Sequence, residues 1–166
     1  MPPDTPSRPS SATLAAAVRL LAVKRSTKAQ LTQKLRDRGH AEDEIREAVA
    51  ECERLGYVDD RTFANLYVRS VLDRKPVGRM RLLHALLTQG VDGDLAHEVI
   101  DAFADDESER IDRALAKLEA LRPQDSYGQL GRRLERMGFT APTIFRALRK
   151  RAETRGFKPE SLEDFE

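Results

Sequence analysis

The residues whose types could support catalysis or metal binding are His40, His84, His97, Cys52 and the adjacent pair Asp59-Asp60. Metal binding needs ligands repeated at short spacing on one face, and the three histidines are scattered, with His84 and His97 on separate predicted helices. Cys52 falls on the apolar face of a predicted helix, where a thiol is buried and inert rather than nucleophilic. Two neighbouring carboxylates can divide acid and base work, but Asp59 and Asp60 stand at a predicted helix start, the ordinary place for capping residues. The chain carries no phosphate-cradling GxxxxGK[ST] loop, no GxGxxG after a strand and no GxSxG elbow. The expectation is a protein without enzymatic activity, bound metal or cofactor.

Ionic recognition is the chemistry that remains. Arg69, Arg74, Lys75, Arg79 and Arg81 form one basic cluster. Arg132, Arg133, Arg146, Arg149 and Lys150 belong to a second, in which residues 126–158 carry nine bases against two acids. Between them, residues 92–112 carry nine acids against one base, Arg110, with a belt at Asp101 to Glu109. Arginine's planar fork suits carboxylate and phosphate. Alternating charged segments suit docking against a large partner with its own charge pattern. The acidic and basic stretches could equally face each other within the molecule. Aromatic residues are 5% with no tryptophan, so base stacking along single strands is not the expected mode of contact.

The elements that hold these clusters repeat. Leu31-Leu35-Gly39, Leu82-Leu86-Gly90 and Leu130-Leu134-Gly138 share one pattern, their glycines 51 and 48 residues apart. Six residues after each glycine stand Ile45, Ala96 and Ile144; nine after, Ala48, Val99 and Ala147; ten after, Val49, Ile100 and Leu148. A period of this length marks stacked helical units. Apolar residues at helical spacing predict a first helix with Leu14, Val18 and Leu21 inward. Thr27 and Gln30 predict a capping box, and Gly39 a left-handed stop. A helix from about Ala41 to Leu55 follows, ended by Gly56. The second unit opens at Asp59-Asp60, which can cap a helix carrying Phe63, Tyr67 and Val71, followed by helices at about Val77–Gln89 and Asp94–Ala104. The third has Ile111, Leu115 and Leu118 inward, a helix at about Ser126–Met137, and a last helix after Thr140. No alternating apolar run reads as a strand. The expected architecture is all-α: three tandem three-helix repeats forming an elongated, curved rod. The expected boundaries are a disordered lead at 1–11, repeats at 12–57, 58–105 and 106–156, and an acidic tail at 157–166.

One cysteine excludes an intramolecular disulfide, and MPPDTPSRPSS lacks the apolar run of a secretory signal. No apolar stretch approaches the ~20 residues that span a bilayer. A cytoplasmic protein, monomeric and away from membranes, is the expectation.

The block from Gly56 to Gly90 resembles the RecX family, bacterial regulators of the RecA recombinase. It carries Gly56-Tyr57-x-Asp59-Asp60, then Phe63-Ala64, a basic stretch before Gly78-Arg79, then Leu82-x-x-x-Leu86 and Gly90. The segments from Ala17 to Leu35 and from Arg132 to Leu148 resemble that family's opening and closing segments, so the likeness covers about residues 14–152. Ala22-Val23-Lys24 and Met137 depart from it, at positions where the family more often has arginine. The resemblance implies tandem three-helix units and binding to the RecA nucleoprotein filament. It implies inhibition of ATP hydrolysis, strand exchange and filament growth, in the setting of recombination, DNA repair and the SOS response. The two basic clusters are then the expected filament contacts, with Tyr57, Asp59, Asp60 and Phe63 as a structural joint between the first two units. The alternative is direct DNA binding through units that resemble helix-turn-helix domains.

Overall fold

In the computed structural model, residues 11–103 and 107–154 are described, and every regular element among them is an α-helix. The order is α1 (Ser11–Val23), α2 (Lys28–Arg36), α3 (Glu42–Arg54), α4 (Asp60–Arg74), α5 (Arg79–Thr88), α6 (Gly93–Asp101), α7 (Glu107–Leu121), α8 (Tyr127–Arg136) and α9 (Ala141–Thr154). The expected lead at 1–11 and tail at 157–166 lie outside the described residues except for Ser11, as do Asp105 and Asp106 of the acidic belt.

Helices pack in consecutive triplets, each around its own core. Leu31, Leu35, Ile45 and Cys52 centre the first; Val68, Leu82, Leu86 and Val99 the second; Ile111, Leu115, Leu134 and Leu148 the third. All nine positions aligned on the glycines are buried. Each core is small, so each triplet leaves much of its surface to solvent or to its neighbours.

The glycine stops share one backbone device. Gly39, Gly56, Gly90 and Gly138 all adopt positive φ, between 73° and 89°, a region costly for any residue with a Cβ. After α2, α5 and α8, the glycine N–H donates to the carbonyl three residues back: Arg36 (2.9 Å), Leu87 (2.9 Å) and Glu135 (2.8 Å). The next N–H reaches the carbonyl of the leucine five residues before it: His40 to Leu35, Val91 to Leu86 and Phe139 to Leu134. These are Schellman motifs. They turn the chain sharply enough for the third helix of each unit to fold back on the second. Val91 and Phe139 follow their glycines into the cores; His40 instead meets the Thr13 hydroxyl at 2.8 Å.

One reading of which residues face inward needs correction. Val18 is 37% exposed, whereas Thr13 and Ala17 are fully buried. Ten of the 13 residues of α1 are alanine, leucine or valine, so periodicity leaves the phase of its stripe weakly fixed, and small residues win the close contact. In α4 the tightest contacts are Ala64 and Val68; Phe63, Tyr67 and Val71 pack at the margin, the two rings stacked with centroids 6.0 Å apart.

Candidate partner surface and the joints that carry it

The basic clusters are held in place by two joints between units, and both joints are built alike. At each, the N-terminus of one unit's middle helix meets the glycine turn that ends the next unit's middle helix. At the first, Thr27 caps α2 in a capping box with Gln30, and its hydroxyl also donates to the Gln89 carbonyl at 2.8 Å. Gln30 Nε2 adds a bond to Gln89 Oε1 at 2.9 Å. The backbones come so close that a Cβ at Gly90 would lie 2.6 Å from Ala29 Cβ. At the second, Gly78 caps α5, its N–H donates to the Met137 carbonyl, and the Met80 N–H donates to the Gly138 carbonyl, both at 3.0 Å. A Cβ at Gly78 would lie 2.3 Å from the Gly138 carbonyl carbon.

Each joint is also tied by a carboxylate at the head of the next unit. Asp60, first residue of α4, accepts from the Lys28 N–H at 2.8 Å; Glu107, first residue of α7, accepts from the Arg79 N–H at 2.9 Å. An acid beside two helix N-termini, its own and its neighbour's, satisfies a free N–H and complements both dipoles. Burial pushes the Asp60 carboxyl above its usual range, against the pull of the Lys28 N–H and the Lys28 charge. Asp59 caps α4 through the Thr62 N–H, and its bonds from Thr62 hold its carboxyl below the usual range. Phe63 packs within the second core, and Tyr57 is 55% exposed. Thr27, Gln30, Gln89 and Gly90 occupy the first joint, and sequence spacing does not single out Gln89 or Gly90 for it. Contacts across 62 residues leave no local signature.

Three of the seven described acids between Asp92 and Asp112, namely Glu98, Asp101 and Asp112, pair with the protein's own bases, Glu98 with Arg61. Asp101 pairs with Arg79 at 2.9 Å, and Asp112 with Lys150 at 2.9 Å. Beyond it, Glu119 pairs with Arg151, and Asp125, only 13% exposed, with Arg133. Among the expected contact residues, Arg79 and Arg133 are thus half-buried and engaged inside the molecule. Arg149 pairs with Glu153 one turn on. Arg74 is exposed and, among the described residues, bonds only to Ser70 of its own helix. Arg69, Lys75, Arg81, Arg132 and Arg146 are exposed and make no ion pair with any described residue.

The second joint brings Arg81 against the third unit. Its guanidinium donates to the Arg136 carbonyl at 3.3 Å, and Arg81, His84 and Arg136 line an open groove of about 550 Å³ with Tyr67 and Met80. Sequence reasoning weighs His84 only as a metal ligand and does not place it or Arg136 among the contact residues. The i, i+3 spacing of Arg81 and His84 on one helix face is the signal that could have linked the first pair. Cys52 is fully buried, its thiol pushed up by burial. No cluster of potential metal ligands occurs among the described residues, and none of their helices is long and apolar enough to cross a membrane.

Comparison with known proteins agrees with this architecture. Residues 14–52 match the family model for the first three-helix domain of RecX, and residues 59–100 that for its second. The protein named Regulatory protein RecX of Thermus thermophilus is 35% identical over 89% of this chain and 99% of its own length. Its namesake in Streptomyces coelicolor is 30% identical over 97% and 88%. The crystal structure of RecX from Lactobacillus salivarius superposes with a TM-score of 0.78 at 23% identity, covering 84% of this chain and 94% of that one, a likeness of fold.

Proposed function

This chain belongs to the RecX family of regulatory proteins, and on that premise we propose that it binds the RecA-DNA filament and restrains its ATP hydrolysis, strand exchange and growth. The observation that carries the reading is the set of exposed arginines and lysines that make no ion pair with any described residue: Arg69, Lys75 and Arg81 in the second unit, Arg132 and Arg146 in the third. Burying unpaired charge is costly, but exposed unpaired charge is free to meet a complementary surface. Arg74, Arg149 and Lys150 can join them by giving up weak, solvent-screened bonds.

In this reading the repeats at 12–57, 58–105 and 106–156 span successive subunits of a helical polymer. Modest contacts sum because tight joints hold the units in one scaffold. Catalysis plays no part.

Filament co-sedimentation with charge-reversed variants tests the assignment. Arg69→Glu/Lys75→Glu/Arg81→Glu is expected to weaken binding at least about tenfold while leaving helical content unchanged, since all three are exposed, none pairs with a described acid, and Arg81 gives up only one long bond to the Arg136 carbonyl. Unchanged binding by the folded variant contradicts the assignment. Binding to naked duplex without RecA, falling steeply with salt as phosphates are exchanged for counterions, would instead favour direct DNA recognition.

A further inference from the structure

The same joint is used twice inside the chain, and each of its two halves is left over once. α2 lays its N-terminus on the Gly90 turn, and α5 lays its own on the Gly138 turn. The middle helices therefore run head to tail. That leaves the Gly39 turn at one end of the series and the N-terminus of α8 at the other.

The two unused halves keep the form of the used ones. Ser126 caps α8 in a capping box with Gln129, as Thr27 caps α2 with Gln30. Gly128 stands where Ala29 stands, two residues after the cap, the position that lies against the Gly90 turn. The Gly39 turn has the same positive φ of 80° as Gly90 and the same pair of Schellman bonds. What differs is coverage. Thr27 is fully buried by its joint, while Ser126 is exposed. A Cβ at Gly39 would meet no described residue within 4 Å, where one at Gly90 or Gly138 would strike the neighbouring unit at 2.6 or 2.5 Å. An open concavity of about 370 Å³, lined by Pro123, Ser126, Tyr127 and Leu130, lies beside the free end of α8.

We propose that a second copy of this chain docks its Gly39 turn onto the Ser126–Gln129 end of the first, continuing the internal joint between molecules. The Ser126 hydroxyl, already accepting from the Gln129 N–H, has its proton available for the Arg38 carbonyl, as Thr27 donates to Gln89. Such contact is heterologous, head to tail, so it builds arrays of more than two copies rather than a symmetric dimer. It is weaker than the internal joints. The covalent linkage that raises effective concentration within the chain is missing. The proposal does not depend on RecA.

Sedimentation velocity of the full chain over about a hundredfold range of concentration tests it, with Gly128→Leu and Ser126→Ala alongside. Gly128 has only ordinary contacts around an added Cβ, the nearest being Arg132 Nη1 at 3.7 Å, so the substitution is compatible with the backbone there, and far-UV circular dichroism checks that the leucine variant is folded. The expected result is an average mass rising from 18.7 kDa past that of two chains in the native protein. The rise should need at least about tenfold higher concentration in Gly128→Leu and be weakened in Ser126→Ala. A native chain that stays monomeric throughout, a mass that stops at two chains, or association unaltered in folded Gly128→Leu would each overturn the proposal.

Discussion

At the scale of single residues, Asp60 joins electrostatics to architecture. It is 9% exposed, yet its carboxylate closes the first joint by accepting the Lys28 N–H. Asp60→Ala leaves that donor without its partner and is expected to cost about 1–2 kcal/mol. Asp60→Asn keeps an acceptor oxygen and should cost less. The two also separate in pH dependence. Burial raises the folded carboxyl above its ordinary value of 3.8, so the folded chain holds this proton more tightly than the unfolded one. The group's contribution is therefore largest below the unfolded pKa and declines as pH rises through the folded one. Asp59 runs the other way: its lowered carboxyl contributes above the unfolded pKa and loses that contribution in acid. Urea unfolding at a series of pH values above 3.8 checks this. Relative to the native chain, Asp60→Asn should gain stability as pH rises, and a difference independent of pH contradicts the sign.

At the scale of elements, the two capping boxes form a matched experiment. Thr27 and Ser126 each cap a middle helix with a glutamine three residues on, but only Thr27 also donates across a joint. Ser126→Ala should cost about 1 kcal/mol, the ordinary value of a lost cap. Thr27→Ala should cost that and about 1 kcal/mol more for the Gln89 carbonyl left unsatisfied in a buried joint. Equal losses in denaturant unfolding would show that the Thr27–Gln89 bond adds nothing. The elements themselves were largely legible in the sequence. Leu31-Leu35-Gly39 and its two echoes specify a stripe and a stop with local chemistry, so the Schellman turns and the Thr27–Gln30 box could be read directly. The phase of α1 could not, because alanines and leucines lie on most of its sides and only the neighbouring helices decide which face is covered. Nor could the partner of Thr27, since a hydroxyl facing a carbonyl 62 residues away has no local pattern.

At the scale of the whole molecule, the joints govern how three small cores act as one scaffold. Gly78→Ala places a methyl group 2.3 Å from the backbone of Gly138, and backbone on both sides leaves nothing flexible to yield. It should loosen the second joint, seen as faster hydrogen exchange at Gly78 and Met80 and as loss of a single cooperative unfolding transition. Gly128→Ala, with ordinary contacts, should instead stabilise its helix by about 0.5–1 kcal/mol. The charge pattern was legible as clusters but not as a surface. Arg79 and Arg133 read like their neighbours in sequence, yet the fold turns them toward Asp101 and Asp125 and leaves Arg69, Lys75, Arg81, Arg132 and Arg146 outward. Which bases remain free is decided by the packing of units, not by spacing within them. The central claim, restraint of RecA by this exposed basic scaffold, is tested most directly by ATP hydrolysis of RecA on single-stranded DNA, titrated with this protein well below one molecule per RecA. Inhibition at those ratios, relieved in Arg69→Glu/Lys75→Glu/Arg81→Glu, is the expected result. Undiminished hydrolysis at every ratio with folded native protein would contradict it.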